Sequence, residues 1–250
     1  MPDMSVEAVH VMAPTLQPIY LLADSQLLFW QRGVRSFIEP LQVAYAEREL
    51  AAAYIGAANG DMPEFYSMFE AAMANAGITQ MRLIRSAFES ADQEFLGRSE
   101  VIVLAGGDVE RGSKVLNETG MSQVLLTRYQ QGAVLIGISA GATLLGQYAI
   151  LEQPDSSLQL IDGLKLLPFI VGAHGEATEW SALTTAIELL EGNARGLGIP
   201  AGGGMIYHAD GAVQALRSEV HEFLMSAGLL RHSLLLPQSP AAHPEEPTRS

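Results

Sequence analysis

The stretch Gly-Ala-Val-Leu-Ile-Gly-Ile-Ser-Ala-Gly-Ala at residues 132–142 constrains this chain more than any other. Its apolar part reads as a strand buried on both faces, and such strands belong to parallel sheets covered by helices. The strand then enters Gly137-Ile138-Ser139-Ala140-Gly141, a G-x-S-x-G pattern. At a sharp strand-to-helix turn, small residues on either side of a serine let strand and helix approach without a clash and leave the hydroxyl exposed. A serine so placed also sits at a helix N-terminus, where unpaired amides favour developing negative charge and the Ala140 amide stands beside the reacting carbon. The pentapeptide alone has plainer readings, because a glycine-rich turn also binds anions or simply packs closely.

The rest of the chain supplies the setting for that turn. Short apolar runs at 19–22, 51–55, 81–84, 101–104 and 134–138 alternate with helix-length stretches, as βαβ crossovers require. The expected fold is α/β, a mostly parallel sheet with helices on both faces. One helix is expected from 62 or 63 to 76, with Phe65, Met68, Phe69 and Met73 at near-helical spacing, Pro63 in its first turn and Gly77 closing it. The run 101–108 is a second strand, ending in Gly106-Gly107-Asp108. A neighbouring parallel strand would bring the Gly107 amide towards Ser139, so that two turns face one crevice at the carboxyl edge of the sheet. Further on, 154–157 reads as a loop and 178–190 as a helix capped by Gly192-Asn193. Residues 204–208 and 212–216 read as a hairpin turning on Ala209-Asp210-Gly211. Residues 1–15 are expected to be flexible, 16–236 to form a single domain, and 237–250, rich in Pro, Glu and Ser, to be a disordered tail.

Composition removes several classes of function. The chain has 250 residues, 48% hydrophobic, with 14 Lys and Arg against 28 Asp and Glu, a formal charge of -14. Nucleic acids and anionic membranes reward clustered cations, so neither is an expected partner. No apolar run reaches the roughly 18 residues that span a bilayer and no export signal is visible, which makes a cytoplasmic location the expectation. With no cysteine there is no thiolate nucleophile, disulfide or Cys-based metal site. Six histidines (His10, His174, His208, His221, His232, His243) show no metal-ligand spacing, and neither a P-loop nor G-x-G-x-x-G occurs, so no metal or cofactor is expected. The apolar helix at 181–190 offers a homodimer interface as one use of its surface.

In ordered blocks the chain resembles the peptidase E and cyanophycinase family of serine peptidases, whose fold is related to class I glutamine amidotransferases. The blocks are Gly106-Gly107-Asp108, then Gly137-Ile138-Ser139-Ala140-Gly141-Ala142, then Asp162-Gly163-Leu164-Lys165-Leu166-Leu167-Pro168, then His174 after a short strand. The resemblance runs from about Ile19 to Leu216 and is weakest before Ala51. It implies a nucleophile elbow at Ser139, which attacks the carbonyl of a small peptide or amide. His174 then takes and returns the proton, while the Gly107 and Ala140 amides form the oxyanion hole.

The pattern also breaks. The resemblance places an acidic triad residue at the block Gly196 to Gly204, where this chain has Ala201, and alanine can neither accept the imidazole N–H nor stabilise the imidazolium. Glu176, Glu179 and Asp210 are the candidate substitute acids, each of which reads first as a solvated surface charge. A Ser-His dyad acting on an undemanding substrate is a further option. The alternative function is a catalytically impaired pseudoenzyme that binds a peptide or metabolite in the same crevice. After His174, where the family often has an aromatic residue, stands Gly175, and the arginine-rich segment of peptidase E proper is missing. Arginine forks hold carboxylates bidentately, so Asp-X dipeptides are expected to be poor substrates.

Overall fold

A computed structural model describes residues 15–32, 35–36, 49–153, 155–190 and 194–238. The sequence expectations for the first fourteen residues, for Pro154, for the Gly192-Asn193 cap and for 239–250 lie outside the described residues, as do His10 and His243. The strands in the first half are β1 (Ile19–Leu22), β2 (Gln31–Arg32), β3 (Arg35–Ser36), β4 (Ala51–Ile55), β5 (Gln80–Ile84), β6 (Val101–Leu104) and β7 (Val134–Ile138). Those in the second half are β8 (Tyr148–Glu152), β9 (Leu158–Asp162), β10 (Ile170–Ala173), β11 (Arg195–Ile199), β12 (Gly204–Tyr207), β13 (Val213–Leu216), β14 (Val220–Ser226) and β15 (Leu229–Leu235). Among the described residues, seven strands form the main sheet in the order β13-β12-β1-β7-β6-β4-β5. From β1 to β5 all neighbours are parallel, and the hairpin β12–β13 adds an antiparallel edge beside β1.

Alternation along the strands divides the core in two. Ile19, Leu21, Ala53, Ile55, Ile102, Leu104 and Leu135 point to one face, and Tyr20, Leu22, Ala52, Tyr54, Val101, Val103, Val134 and Ile136 to the other. Each set must be covered, which is why these strands read as continuous apolar runs. Helix α1 (Pro63–Asn75) covers the second face through Phe69, Ala72 and Met73. On the first face lie α2 (Ser90–Leu96), α3 (Val109–Glu118), α4 (Met121–Gln130) and α5 (Ala140–Leu145), packing through Leu96, Leu116, Met121, Leu125 and Leu144. The expected mostly parallel sheet with helices on both faces is what the chain forms. Helix α1 closes as expected, with Gly77 at φ 74°.

The second half holds more sheet than its pattern suggested. β8 and β9 form an antiparallel hairpin, and β10, β11, β14 and β15 form a separate four-stranded sheet in that order. The helix expected over 178–190 is divided: a single 3-10 turn spans Glu176–Thr178, Glu179 and Trp180 take left-handed conformations, and α6 runs Ser181–Leu189. Left-handed backbone at two successive residues cannot continue a right-handed helix. The apolar face of α6, through Leu183, Ala186 and Ile187, packs with Ile170 and Phe223 of the second sheet inside this chain. Among the described residues no helix is long and apolar enough to cross a membrane.

Candidate active site

Ser139 stands where β7 ends and α5 begins. Its backbone takes φ 47° and ψ −110°, a conformation that costs on the order of 1–3 kcal/mol for a residue with a side chain. Its amide donates to the Leu22 carbonyl at the end of β1 (2.8 Å), and its carbonyl accepts from the Thr143 amide (3.0 Å) and hydroxyl (3.3 Å). Glycine makes the close approach feasible. A Cβ on Gly137 would stand 2.7 Å from the Ala142 backbone, and one on Gly141 would run into the Leu104 carbonyl of β6.

The Gly106-Gly107-Asp108 turn at the end of β6 closes against this serine. A Cβ on Gly106 would lie 3.3 Å from Ser139 Cβ. Gly107 has φ 137° and packs directly on the Ala58 carbonyl, so no side chain is tolerated there. Asp108 locks the turn, its amide donating to the Ala58 carbonyl (2.9 Å) and its carboxylate capping α3 by accepting from the Arg111 amide (2.7 Å). Among the described residues the amides of Gly107 and Ala140 donate to no protein acceptor. Donors of this kind can meet an oxyanion or another anionic group.

His174 follows β10 and also lies in the left-handed region, at φ 59°, with its amide donating to the Ile199 carbonyl at the end of β11 (3.1 Å). Ser139, His174, Gly106, Gly107 and Asp108 line one cavity of about 420 Å³. A second cavity of about 240 Å³ shares Ser139 and Gly107 with the first and adds Ala140, Glu152, Thr178 and Trp180. Among the described residues no carboxylate hydrogen-bonds the His174 ring, and no cluster of three or more His, Asp or Glu is placed to hold a metal ion.

The altered block has an unexpected pair of partners. Glu176 Oε1 accepts from the Ala201 amide (3.0 Å), and Asp24 Oδ2 accepts from the Gly202 amide (2.7 Å). Two carboxylates from separate elements therefore hold the backbone at and beside position 201. Desolvation pushes the Glu176 carboxyl up, but the Ala201 amide, its own amide and the charges of His174 and His221 outweigh that, so it titrates below the ordinary 4.5. Glu179 is exposed, and Asp210 spends its carboxylate on the Ala212 amide (2.9 Å) at the exposed hairpin turn. None of Glu176, Glu179 and Asp210 is among the residues lining the cavity that Ser139 and His174 share. Of the three candidate acids, Glu176 is the one that the fold brings to the altered block.

Gly175 has a structural explanation. A Cβ there would stand 2.5 Å from the Trp180 ring, and one on Gly198 would stand 2.6 Å from it. Trp180 thus lays an aromatic surface over the position where an aromatic residue was expected. Asp24, Tyr54 and Arg111 also line the first cavity and were not singled out from sequence. Asp24 follows β1 closely, and the rule that ligands gather at the carboxyl edge of a parallel sheet is the signal that could have found it.

A mainly parallel sheet whose carboxyl edge carries a strained serine turn and a glycine turn on one cavity is the arrangement of an α/β peptidase. Residues 34–215 match peptidase family S51, and the chain belongs to that family. A peptidase from an acI-B1 Actinobacterium has a similar solved structure, with a TM-score of 0.63 at 15% identity over 86% of this chain and 96% of that one. A peptidase E-type protein from Listeria monocytogenes EGD-e gives 0.59 at 18% identity over 81% and 99%. At these identities the likeness is one of fold. No curated protein matches the sequence.

Proposed function

We propose that this chain is a serine-type hydrolase of a small peptide or amide bond, with Ser139 as nucleophile and His174 as general base. The observation that carries the reading is the single cavity lined by Ser139, in its strained turn, together with His174 and Gly107. Ser139 Oγ bonds to the carbonyl carbon as its proton passes to His174, and the Gly107 and Ala140 amides meet the negative charge that forms on the carbonyl oxygen. The C–N bond then breaks as His174 returns the proton to the leaving amine. Water, deprotonated by the same imidazole, displaces Ser139 from the acyl group.

Glu176 takes over part of the missing acid's role in this reading. Two residues beyond His174 and held on the Ala201 amide, with its own carboxyl held low, it acts on the loop that carries the imidazole, which makes it a positioning residue. A complete triad that loses its acid drops about 10⁴-fold in kcat, so turnover here falls well below that of an intact relative. The pseudoenzyme reading draws on that same missing bond to the His174 ring and predicts that Ser139→Ala leaves the biological phenotype unchanged. A panel of dipeptides, amides and activated esters tests the proposal. Turnover that Ser139→Ala and His174→Ala both abolish is expected, with Asp-X dipeptides among the poorest members. Folded wild-type protein that turns over none of the panel overturns it.

A further inference from the structure

We infer that the cavity shared by Ser139 and His174 selects a bulky apolar residue on the amine side of the scissile bond, with that residue's free carboxylate at Arg111. The substrate class is a dipeptide or short peptide ending in an aromatic or long aliphatic residue. This rests on the hydrolase reading of Ser139 and His174.

The walls carry the first part of the argument. Leu28, Tyr54, Met62, Phe65, Met68 and Phe69 line the cavity, and its volume of about 420 Å³ lies in the range of small-ligand sites. Several of the polar side chains in the lining are already hydrogen-bonded within the protein. Asn59 Nδ2 donates to the Tyr54 hydroxyl (3.0 Å), and Asn59 Oδ1 accepts from the Met62 amide (3.3 Å). Asp24 spends its two oxygens on the Gln26 amide (3.0 Å) and the Gly202 amide (2.7 Å), and Asp108 caps α3. Burial raises the Tyr54 phenol to about 12, so it stays uncharged. Apart from Ser25, Arg111 and the Ser139–His174 pair, what faces the space without such a bond is hydrocarbon, aromatic ring and thioether, and methionine adapts to varied apolar shapes. At the rim Met62 and Phe65 are 44% and 42% exposed. An apolar pair left uncovered beside a cavity gains by closing on an apolar guest.

The position of His174 gives the direction. The general acid must reach the leaving nitrogen, and His174 lines this cavity but not the second. The amine-side residue therefore occupies the apolar cavity. The acyl residue falls to the second, which has Glu152 and Thr178 in its wall. Arg111 supplies the last element. Among the described residues it is the one arginine lining the apolar cavity, and its guanidinium passes close to Gly60, next to Asn59 of the lining. A guanidinium matches a carboxylate in shape and charge, and a free C-terminal carboxylate belongs to the residue that leaves. One residue thus satisfies three features together: side chain among the apolar walls, carboxylate at Arg111, nitrogen at His174.

Hydrolysis of Ala-Phe and Ala-Leu against Ala-Gly and Ala-Lys by the full chain tests the assignment. About tenfold or more in kcat/KM in favour of Phe and Leu is expected, and Phe65→Glu and Met68→Lys should erase it. Blocking the C-terminus as Ala-Phe amide should cost roughly tenfold in wild type and little in Arg111→Gln. Binding of L-phenylalanine to the Ser139→Ala chain, followed by calorimetry, provides a readout independent of turnover. Tighter binding of phenylalanine than of glycine or L-lysine, weakened by Phe65→Glu at the half-exposed rim, supports the pocket. Equal kcat/KM across the dipeptides, or no preference for phenylalanine in folded Ser139→Ala, overturns it even where Ser139 is shown to be reactive. Preferential phenylalanine binding with neither turnover nor covalent labelling of Ser139 supports the pocket and overturns the hydrolase reading instead.

Discussion

Gly141 shows how narrowly single residues define the serine turn. Its Cα faces the Leu104 carbonyl at a separation that leaves no room for a methyl group, so Gly141→Ala must push α5 away from β6. Overpacking of this kind costs about 1–3 kcal/mol; thermal unfolding should show the loss, and turnover should fall further than stability because Ser139 moves with α5. Glu176 makes a second prediction at this scale. Glu176→Gln keeps a group able to accept from the Ala201 amide but removes the charge, so kcat should drop several-fold with KM nearly unchanged, and Glu176→Ala should drop it further. Equal and unaltered kinetics in both variants would show that Glu176 only ties down the loop. Ser139, Gly107 and Gly137 could be singled out from sequence because a strand-to-helix turn and a glycine turn are local patterns. The contact of Asp24 with Gly202 joins residues 178 apart in the chain, and no local pattern announces it.

At the scale of elements, the central strands were legible and the second sheet was not, for the same reason. A strand buried on both faces announces itself by a continuous apolar run, as β4, β6 and β7 do. β11 reads Arg-Gly-Leu-Gly-Ile because the Leu183 and Ile187 side chains fill the space over Gly196 and the Trp180 ring that over Gly198. Its stability comes from what lands on it and from pairing with β10 and β14. β15 is largely exposed and carries little pattern at all. One ion pair ties these strands together: Arg195 on β11 meets Glu222 on β14 at 2.7 Å, and the Ser233 hydroxyl of β15 donates to the other Glu222 oxygen at 2.9 Å. Both charged side chains are partly screened, at 30% and 21% exposure. Arg195→Ala should therefore cost about 1–2 kcal/mol in denaturant unfolding, and the loss should weaken at high salt.

At the level of the whole molecule, one histidine, His221, bears on how the fold meets acid. His221 stacks on His232 at a ring separation of 5.2 Å and meets the Trp180 ring at a tilt, also at 5.2 Å, and its Nδ1 lies 3.1 Å from His232 Nε2. Burial and then the neighbouring His232 charge push His221 below the ordinary 6.5, while Glu219 and Glu176 pull the other way. A histidine depressed in the folded state favours the fold fully above its unfolded value, and that contribution is lost as pH falls through 6.5 towards the folded value, because the unfolded chain takes up the proton first. Melting temperature should fall between about pH 7 and pH 5, and His232→Gln should flatten part of the fall by removing the second cause. The same region links the second sheet to the cleft, since Glu176 feels both His221 and His174. The direct test of the account is a fluorophosphonate on the full chain, with the modified residue located by mass spectrometry. The account predicts a single adduct on Ser139, slower to form in His174→Ala and absent in Ser139→Ala. Folded wild-type protein that acquires no adduct at Ser139 contradicts it.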